Sequence, residues 1–548
     1  MRKYFISISS MIMAVVLCLS CSHKQQEEVA EEASDMQKKV EAFADYELTA
    51  DLSQLTENER QILSIFIDIA DIMDNLYWQQ AFGDKSVLDT ITDEWTKRYV
   101  GINYGVWDRL DNWKPFVANW PERAPGAQFY PADMTKEEFE AFADTNKNSL
   151  YTMIVRNQEG KLQSVWYKDY FKTQLDKVCE LMQKAADLAE DEGLKNYLTE
   201  RIKAFQTDDY FSSDTAWMNM KNSNIDFVVG PIENYEDQLY GHKAAYEAFI
   251  LLKDAEASKN LAKFISMLPA LQTELPCDPK YKKEVPGTES DLNVYDALYY
   301  AGDCNSGSKT IAINLPNDER VHLEKGTRRL QLRNAMQAKF DKILMPIANI
   351  LIDEEQIQNI KFDAFFWNVT FHEVAHGLGI KNTVTGKGAV REALQVQYSN
   401  WEEAKADILG LYMVQKLIEK GEITNITVEE AYTTFIAGLF RSVRFGSADA
   451  HGQANMMCFN FFEKEGAFIR GNNGKYHVDI DKAKMAMANW AALILKVEGE
   501  GDLNYATSYN KENSIISNTL AADLETIANS NIPVDINFIQ GKKSLKLK

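Results

Sequence analysis

Cysteine, histidine and basic residues are all scarce in this chain, and each shortage excludes something. Of six cysteines in 548 residues, two fall within the first 21, and the other four, Cys179, Cys277, Cys304 and Cys458, are scattered. That is too few for a disulfide framework, and none has the CxxC spacing of a thiolate zinc site. Lysine and arginine number 59 against 81 acidic residues, for a net charge of −22. Such a balance argues against nucleic-acid binding and for a self-repelling, soluble surface. After residue 21 no apolar run is long enough to span a bilayer. There is no internal repeat, and the only biased segment lies near the N-terminus. With 45% hydrophobic and 11% aromatic residues, what is left has ample material for a large core in two or more domains.

The N-terminal segment sets an expected location. MRKYFISISSMIMAVVLCLSC places Arg2 and Lys3 before an apolar run from Met11 to Leu19 and ends on Ser20 and Cys21. This reads as a secretory signal over residues 1–21. Its last residues resemble a bacterial lipoprotein box, with Cys21 as the acylated residue, although Cys18 stands where leucine is usual. The expectation is an exported protein of the cell envelope, in the periplasm or on the outer membrane, touching membrane only through a lipid anchor. Simple cleavage to a soluble periplasmic protein is the alternative. Residues 22–40, polar and acidic, read as a flexible tether.

Chemistry enters at residues 371–380, FHEVAHGLGI. In the stretch leading to it, Phe365, Val369, His372 and His376 recur at helical spacing, and Gly377 and Gly379 close the helix. His372 and His376 therefore stand one turn apart on one face, where both imidazoles reach a single zinc ion. Glu373, one residue round, suits a general base for a zinc-bound water. By chance alone HExxH occurs in roughly one such chain in a hundred, so a third ligand has to be found. SNWEEAKADILGLYMVQKLIEKG provides one. Ser399 and Glu402 have capping-box spacing, which predicts a helix from about Asn400 to Gly421. One face of it carries Glu403, Asp407, Gly410, Leu411, Val414, Leu417 and Ile418, and the other carries Glu402, Lys405, Tyr412, Lys416 and Glu419. Two carboxylates on an apolar face need a cation or donors. Glu403 is the expected ligand and Asp407 the acceptor that orients a liganding histidine. Glu402 is read first as the capping partner of Ser399, and otherwise as a second carboxylate behind the metal.

HEVAH followed by WEEAKAD resembles the dipeptidyl peptidase III family, peptidase family M49, in its short form with a five-residue motif. GPIENYEDQLYGHKAAYEAFI, AINLPN and RFGSADAHGQANM are similar to three further family segments, so the resemblance runs in patches from about 225 to 470. It implies a Zn2+-dependent exopeptidase that releases N-terminal dipeptides from short peptides with a free N-terminus. It also implies roles for particular residues. Glu373 would be the base, and His372, His376 and Glu403 the zinc ligands. Tyr235 and His451 would steady the oxyanion, while Glu233, Asn314 and Asn317 would hold the peptide's ammonium and first backbone units.

The implied fold is α+β and predominantly helical, two lobes around a wide cleft. A helical lobe carries the zinc, and a mixed lobe has a small β core. The expected layout is a mixed lobe over 41–254, part of the helical lobe at 255–300, a substrate-binding strand region at 301–335, the zinc-binding lobe at 336–525 and a C-terminal segment at 526–548. A monomer is expected. Two departures from the family stand out: the family's first motif usually has one more residue before the second histidine, and the link from His376 to Glu403 is short. The basic residue for the peptide's C-terminal side has no evident counterpart. Two alternatives remain, a zinc endopeptidase of the same fold and a non-catalytic peptide-binding lipoprotein.

Overall fold

Two apolar stretches in the middle of the chain begin its sheet. IDFVVGPIE and AYEAFILLKD form antiparallel strands β1 (Ile225–Glu233) and β2 (Ala245–Asp254), and each is buried on both faces for most of its length. Three more strands follow: β3 (Asp291–Gly302), β4 (Ala312–Leu315) and β5 (Arg328–Leu332). Their order is β1-β2-β3-β5-β4, with only the β3/β5 pair parallel. The sheet curls until its two edges meet, where Asn317 Nδ2, just past β4, donates to Ile232 O at 3.3 Å and Glu233 Oε1 at 3.1 Å. Helix α1 (Glu57–Ala81) lies on the sheet, with Phe66 stacked on Phe227 at 4.1 Å. Thr56 and Glu59 close its N-terminus as a reciprocal capping box.

The second half of the chain is a helical assembly: α2 (Phe362–Ala375), α3 (Tyr398–Glu419), α4 (Val428–Val443), α5 (Ala450–Lys464) and α6 (Ile480–Glu500). Helix α3 is its axis, packed on all four others. Gly410 sets its closest approach to α2. A Cβ at this position would sit 2.9 Å from His372 N and 3.1 Å from Phe371 C, so only glycine allows the two backbones to come this near.

The computed structural model describes residues 34–287, 291–446 and 450–547. The expected signal and most of the tether lie outside them. The tether's last residues are helical, because Asp35–Glu41 forms a helix whose N-cap, Ser34, accepts from Gln37 N. The mixed lobe expected over 41–254 also holds a hairpin pairing Thr152–Arg156 with Leu162–Trp166. Residues 291–300, expected in the helical lobe, belong to β3 at the centre of the sheet. Most of their side chains are buried, on both faces of the sheet, so no amphipathic period marks them. The proline-rich connection contains a short helix, Leu268–Thr273, with Pro269 in its first turn. The C-terminal segment is not loose either, since Asp535–Ile539 pairs in parallel with Phe43–Glu47 and ties the two ends of the body together. All four described cysteines are free.

Helix α3 also departs from its sequence reading. It begins at Tyr398, so Ser399 lies inside it and caps nothing. Lys405 and Tyr412, expected on a solvent face, are each 1% exposed. A helix at the axis of a bundle has no solvent face to show.

Candidate metal centre

Helix α2 delivers His372 from its last turn and His376 as its C-cap residue, and the two rings lie edge to face with centroids 5.0 Å apart. Each ring is held from behind by its own carboxylate on α3. Asp407 Oδ1 is 2.7 Å from His372 Nδ1, and Glu402 Oε1 is 2.9 Å from His376 Nδ1. With both Nδ1 atoms engaged, both Nε2 atoms are left for the third carboxylate, Glu403, whose Oε2 lies 3.3 Å from His372 Nε2 and 4.0 Å from His376 Nε2. Two ligands on one tetrahedral zinc, each about 2.0–2.1 Å from the ion, are separated by about 3.3–3.4 Å. The first distance matches that spacing and the second is wider by about half an ångström. Glu402, first read as a cap, therefore serves the site.

From α5, His451 Nε2 approaches the same Glu403 oxygen at 3.1 Å, and its ring stacks on His372 with centroids 6.2 Å apart. The ligating atoms of His372, Glu403 and His451 all lie within 4.8 Å of one another, a grouping that substitutes His451 for His376. Orientation favours His376 as the permanent ligand. Its Nδ1 is fixed by Glu402, whereas the His451 side chain is 67% exposed and no described carboxylate holds its other nitrogen. The three imidazoles around Glu403 Oε2 still leave that buried oxygen without a properly aligned hydrogen bond. An oxygen ringed by nitrogens but bonded to none is the donor set of a cation.

The electrostatics agree. Burial opposes charge on Glu403, but the His372 and His451 imidazoles beside it outweigh that and hold the carboxyl far below its usual range. Burial likewise works against a protonated His372, and Asp407, Glu403 and Glu373 together overcome it and raise its pKa well above the usual value. The site is thus rich in negative charge and takes up positive charge readily.

Glu373 makes no hydrogen bond or ion pair through its carboxylate with any described residue, while its backbone oxygen accepts from Arg329 Nη1 at 2.6 Å. Arg329 is on β5, paired directly with Asn314 on β4, so one arginine connects the base's backbone to the sheet edge. A cavity of about 610 Å³ along that edge brings together Glu233, Tyr235, Asn314 and Asn317. Tyr235 is 75% exposed, and the nearby Glu233 charge, with some burial, raises its hydroxyl pKa. The same cavity is lined by Glu247 and Asp303, which sequence reading missed because they look like ordinary strand and turn residues. Burial, reinforced by Asp303 and Glu233, lifts Glu247 far above its usual range. Asp303 is pushed up to about 7, by burial and then by Glu236 against the pull of Arg109.

A two-histidine, one-carboxylate centre with a free glutamate beside it and an acidic cavity along a nearby sheet edge defines a metallopeptidase. The sequence profile described as Peptidase family M49 matches residues 133–391, which take in the HExxH motif and the cavity residues of β1 and β4. A solved structure titled as DPP III from Caldithrix abyssi superposes with a TM-score of 0.87 at 36% identity, covering 93% of this chain and 99% of that one. Dipeptidyl-peptidase III from Corallococcus sp. strain EGB gives 0.73 at 35% identity, over 92% and 96%. Among curated proteins, Nudix hydrolase 3 of Arabidopsis thaliana is 33% identical over 571 residues, 92% of this chain and 73% of that protein. Dipeptidyl peptidase 3 of Nematostella vectensis is 24% identical over 275 residues, 44% of this chain and 36% of its own length. The chain belongs to peptidase family M49, the dipeptidyl peptidase III family, and has its mostly helical two-lobe fold.

Proposed function

We propose that the protein is a zinc-dependent exopeptidase that removes dipeptides from the free N-terminus of short peptides. The observation that carries this reading is the pairing of two neighbouring features, the cation-ready cluster of His372, His376 and Glu403 and the acidic cavity beside it. Zinc held by those three residues supplies a Lewis acid and a water that loses its proton near neutral pH.

The chain's own residues do the rest. Glu373 has an unengaged carboxylate, as a base that must take a proton and pass it to the leaving amine requires. His451 and Tyr235 bring N–H and O–H donors for the carbonyl oxygen as it gains negative charge. Glu233, held by Asn317, meets the peptide's ammonium, and Asn314 on the exposed edge of β4 meets backbone groups. An extended peptide then lies along that edge as a further strand. Glu247 and Asp303 line the same cavity, but burial keeps Glu247 protonated and Asp303 partly so, which leaves Glu233 as the counter-charge to the ammonium.

The test uses a five-residue peptide, free and N-acetylated, with products read by mass spectrometry and Glu373→Gln as control. Release of the N-terminal dipeptide from the free peptide alone is expected, with none from the control. Equal cleavage of both peptides would make the enzyme an endopeptidase, and zinc uptake without any cleavage would make it a capture protein. We also propose export and acylation at Cys21, on the strength of the Leu-Ser-Cys box. Palmitate labelling that persists in Cys21→Ala would refute this.

A further inference from the structure

Lys405 is buried beside the centre, at 1% exposure. Burying an ammonium costs several kcal/mol unless it is well paired, so its surroundings should show what it does. Its Nζ donates to Glu402 Oε2 at 2.8 Å, and the other oxygen of that carboxylate meets His376 Nδ1 at 2.9 Å. Room for the lysine stem comes from the zinc motif itself. Gly379, three residues past His376 with φ +83°, passes so close that a Cβ there would lie 3.1 Å from Lys405 Cδ. Behind the ammonium sits Glu498 of α6, fully buried, with neither carboxyl oxygen hydrogen-bonded.

The two histidines are therefore supported differently. Behind His372, Asp407 is steadied by a neutral amide, Asn455 Nδ2 at 3.3 Å. Behind His376, Glu402 is steadied by a cation. Two carboxyls and one ammonium share a closed space, and the charges sort accordingly. Burial opposes ionisation of Glu402, but His376 and Lys405 overcome it and hold it at about 2. Burial lifts Glu498 to about 8 against the pull of Lys405.

We propose that Lys405 is a positioning residue for the metal: by fixing the orientation of Glu402, it holds His376 with Nδ1 turned away and Nε2 turned toward the ion. This rests on the zinc reading above. A carboxylate that loses a buried partner this close is free to turn, and His376 is then free to rotate with it. Outer partners of liganding histidines typically contribute 10–100-fold in metal affinity.

The experiment measures zinc affinity by chelator competition on purified protein and, separately, the thermal midpoint of the metal-free and zinc-loaded forms. Wild type must bind one zinc; if it does not, the zinc reading fails and the role of Lys405 falls with it. If it does, Lys405→Met is expected to bind about tenfold more weakly or worse. The gap between its loaded and metal-free midpoints should shrink, and Lys405→Arg should recover most of the loss. A merely structural lysine would instead lower both midpoints together and leave zinc affinity alone. Lys405→Gln, which keeps a polar side chain without the charge, is the second variant. Wild-type zinc affinity in either folded variant overturns the proposal, as does failure of both to fold without metal, since Lys405 would then serve folding and not the site.

Discussion

Replacing Gly410 with alanine tests whether helix spacing, and not the ligand set alone, makes the metal centre. Gly410 faces the α2 backbone, and the added methyl would come within 2.9 Å of His372 N, 3.1 Å of Phe371 C and 3.2 Å of His372 Cα. Ordinary contact begins about half an ångström further out, so α2 and α3 must separate or slide by that much. Overpacking of this kind costs about 1–3 kcal/mol, while alanine in place of a mid-helix glycine returns about 1 kcal/mol. The net loss for the metal-free protein is therefore small, about 0–2 kcal/mol. The centre suffers more, because His372 moves relative to Glu403, now 3.3 Å away, and Asp407, now at 2.7 Å. Loss of that orientation should weaken zinc binding roughly 10–100-fold. Chelator competition gives the affinity, and urea unfolding of the metal-free protein gives the stability. A Gly410→Ala protein that binds zinc within twofold of wild type would refute the argument, because the site would then tolerate the shift that the contacts demand.

Two further outcomes follow from other parts of the molecule. Glu233→Gln should lower kcat/KM on free-N-terminal peptides by roughly 10–100-fold, the worth of a charged hydrogen bond of about 1.5–3 kcal/mol, and should largely abolish discrimination against the acetylated peptide. An unchanged ratio between the two peptides would remove Glu233 from ammonium binding. Asp208, far from the site, ends the helix Glu192–Thr207 with φ 59° and is pushed up to about 7, chiefly by burial. An acid whose pKa is raised in the folded state favours folding while protonated. Stability is therefore fully present below the unfolded value of 3.8 and falls as pH rises to about 7. Asn suits that left-handed cap position and still accepts from Lys168 N, now at 2.9 Å. Asp208→Asn should thus match wild type below pH 4 and exceed it by roughly 4 kcal/mol at pH 8, as measured by urea unfolding across pH. Parallel curves at all pH values would contradict the raised pKa.

What the sequence made legible was whatever depends on one element at a time. His372 and His376 one turn apart, Glu373 beside them and the strand region that holds Asn314 all follow from spacing or punctuation within one segment, whereas Gly230 and Pro231, which look like a break, run on inside β1. The centre of the sheet did not show itself, because β3 is buried on both faces and has no polar alternation to mark it. Arg329 was hidden for a different reason. Its meaning lies in a register, opposite Asn314 and against the Glu373 carbonyl, and no period within β5 encodes a neighbour 44 residues away.

Helix α3 shows why the layer behind the ligands is harder to read than the ligands themselves. Its sequence offers two faces, and the amphipathic rule assigns Glu402 and Lys405 to water. The rule holds only for a helix with water on one side, and this one is enclosed by α2, α4, α5 and α6. Enclosure is also what the site needs, since His372 and His376 approach α3 at two positions one turn apart and each requires a carboxylate behind it. Asp407 can do this from the apolar face, one turn beyond Glu403. Glu402 must do it from the flank, where an ionised carboxylate is sustained only if a cation is buried with it, and Lys405, three residues on, is that cation. On the zinc reading proposed above, the same WEEAKAD segment that looked like a cap and two faces brings a liganding carboxylate, two supports and a counter-charge, assigned by what packs against each residue and not by its place in the period.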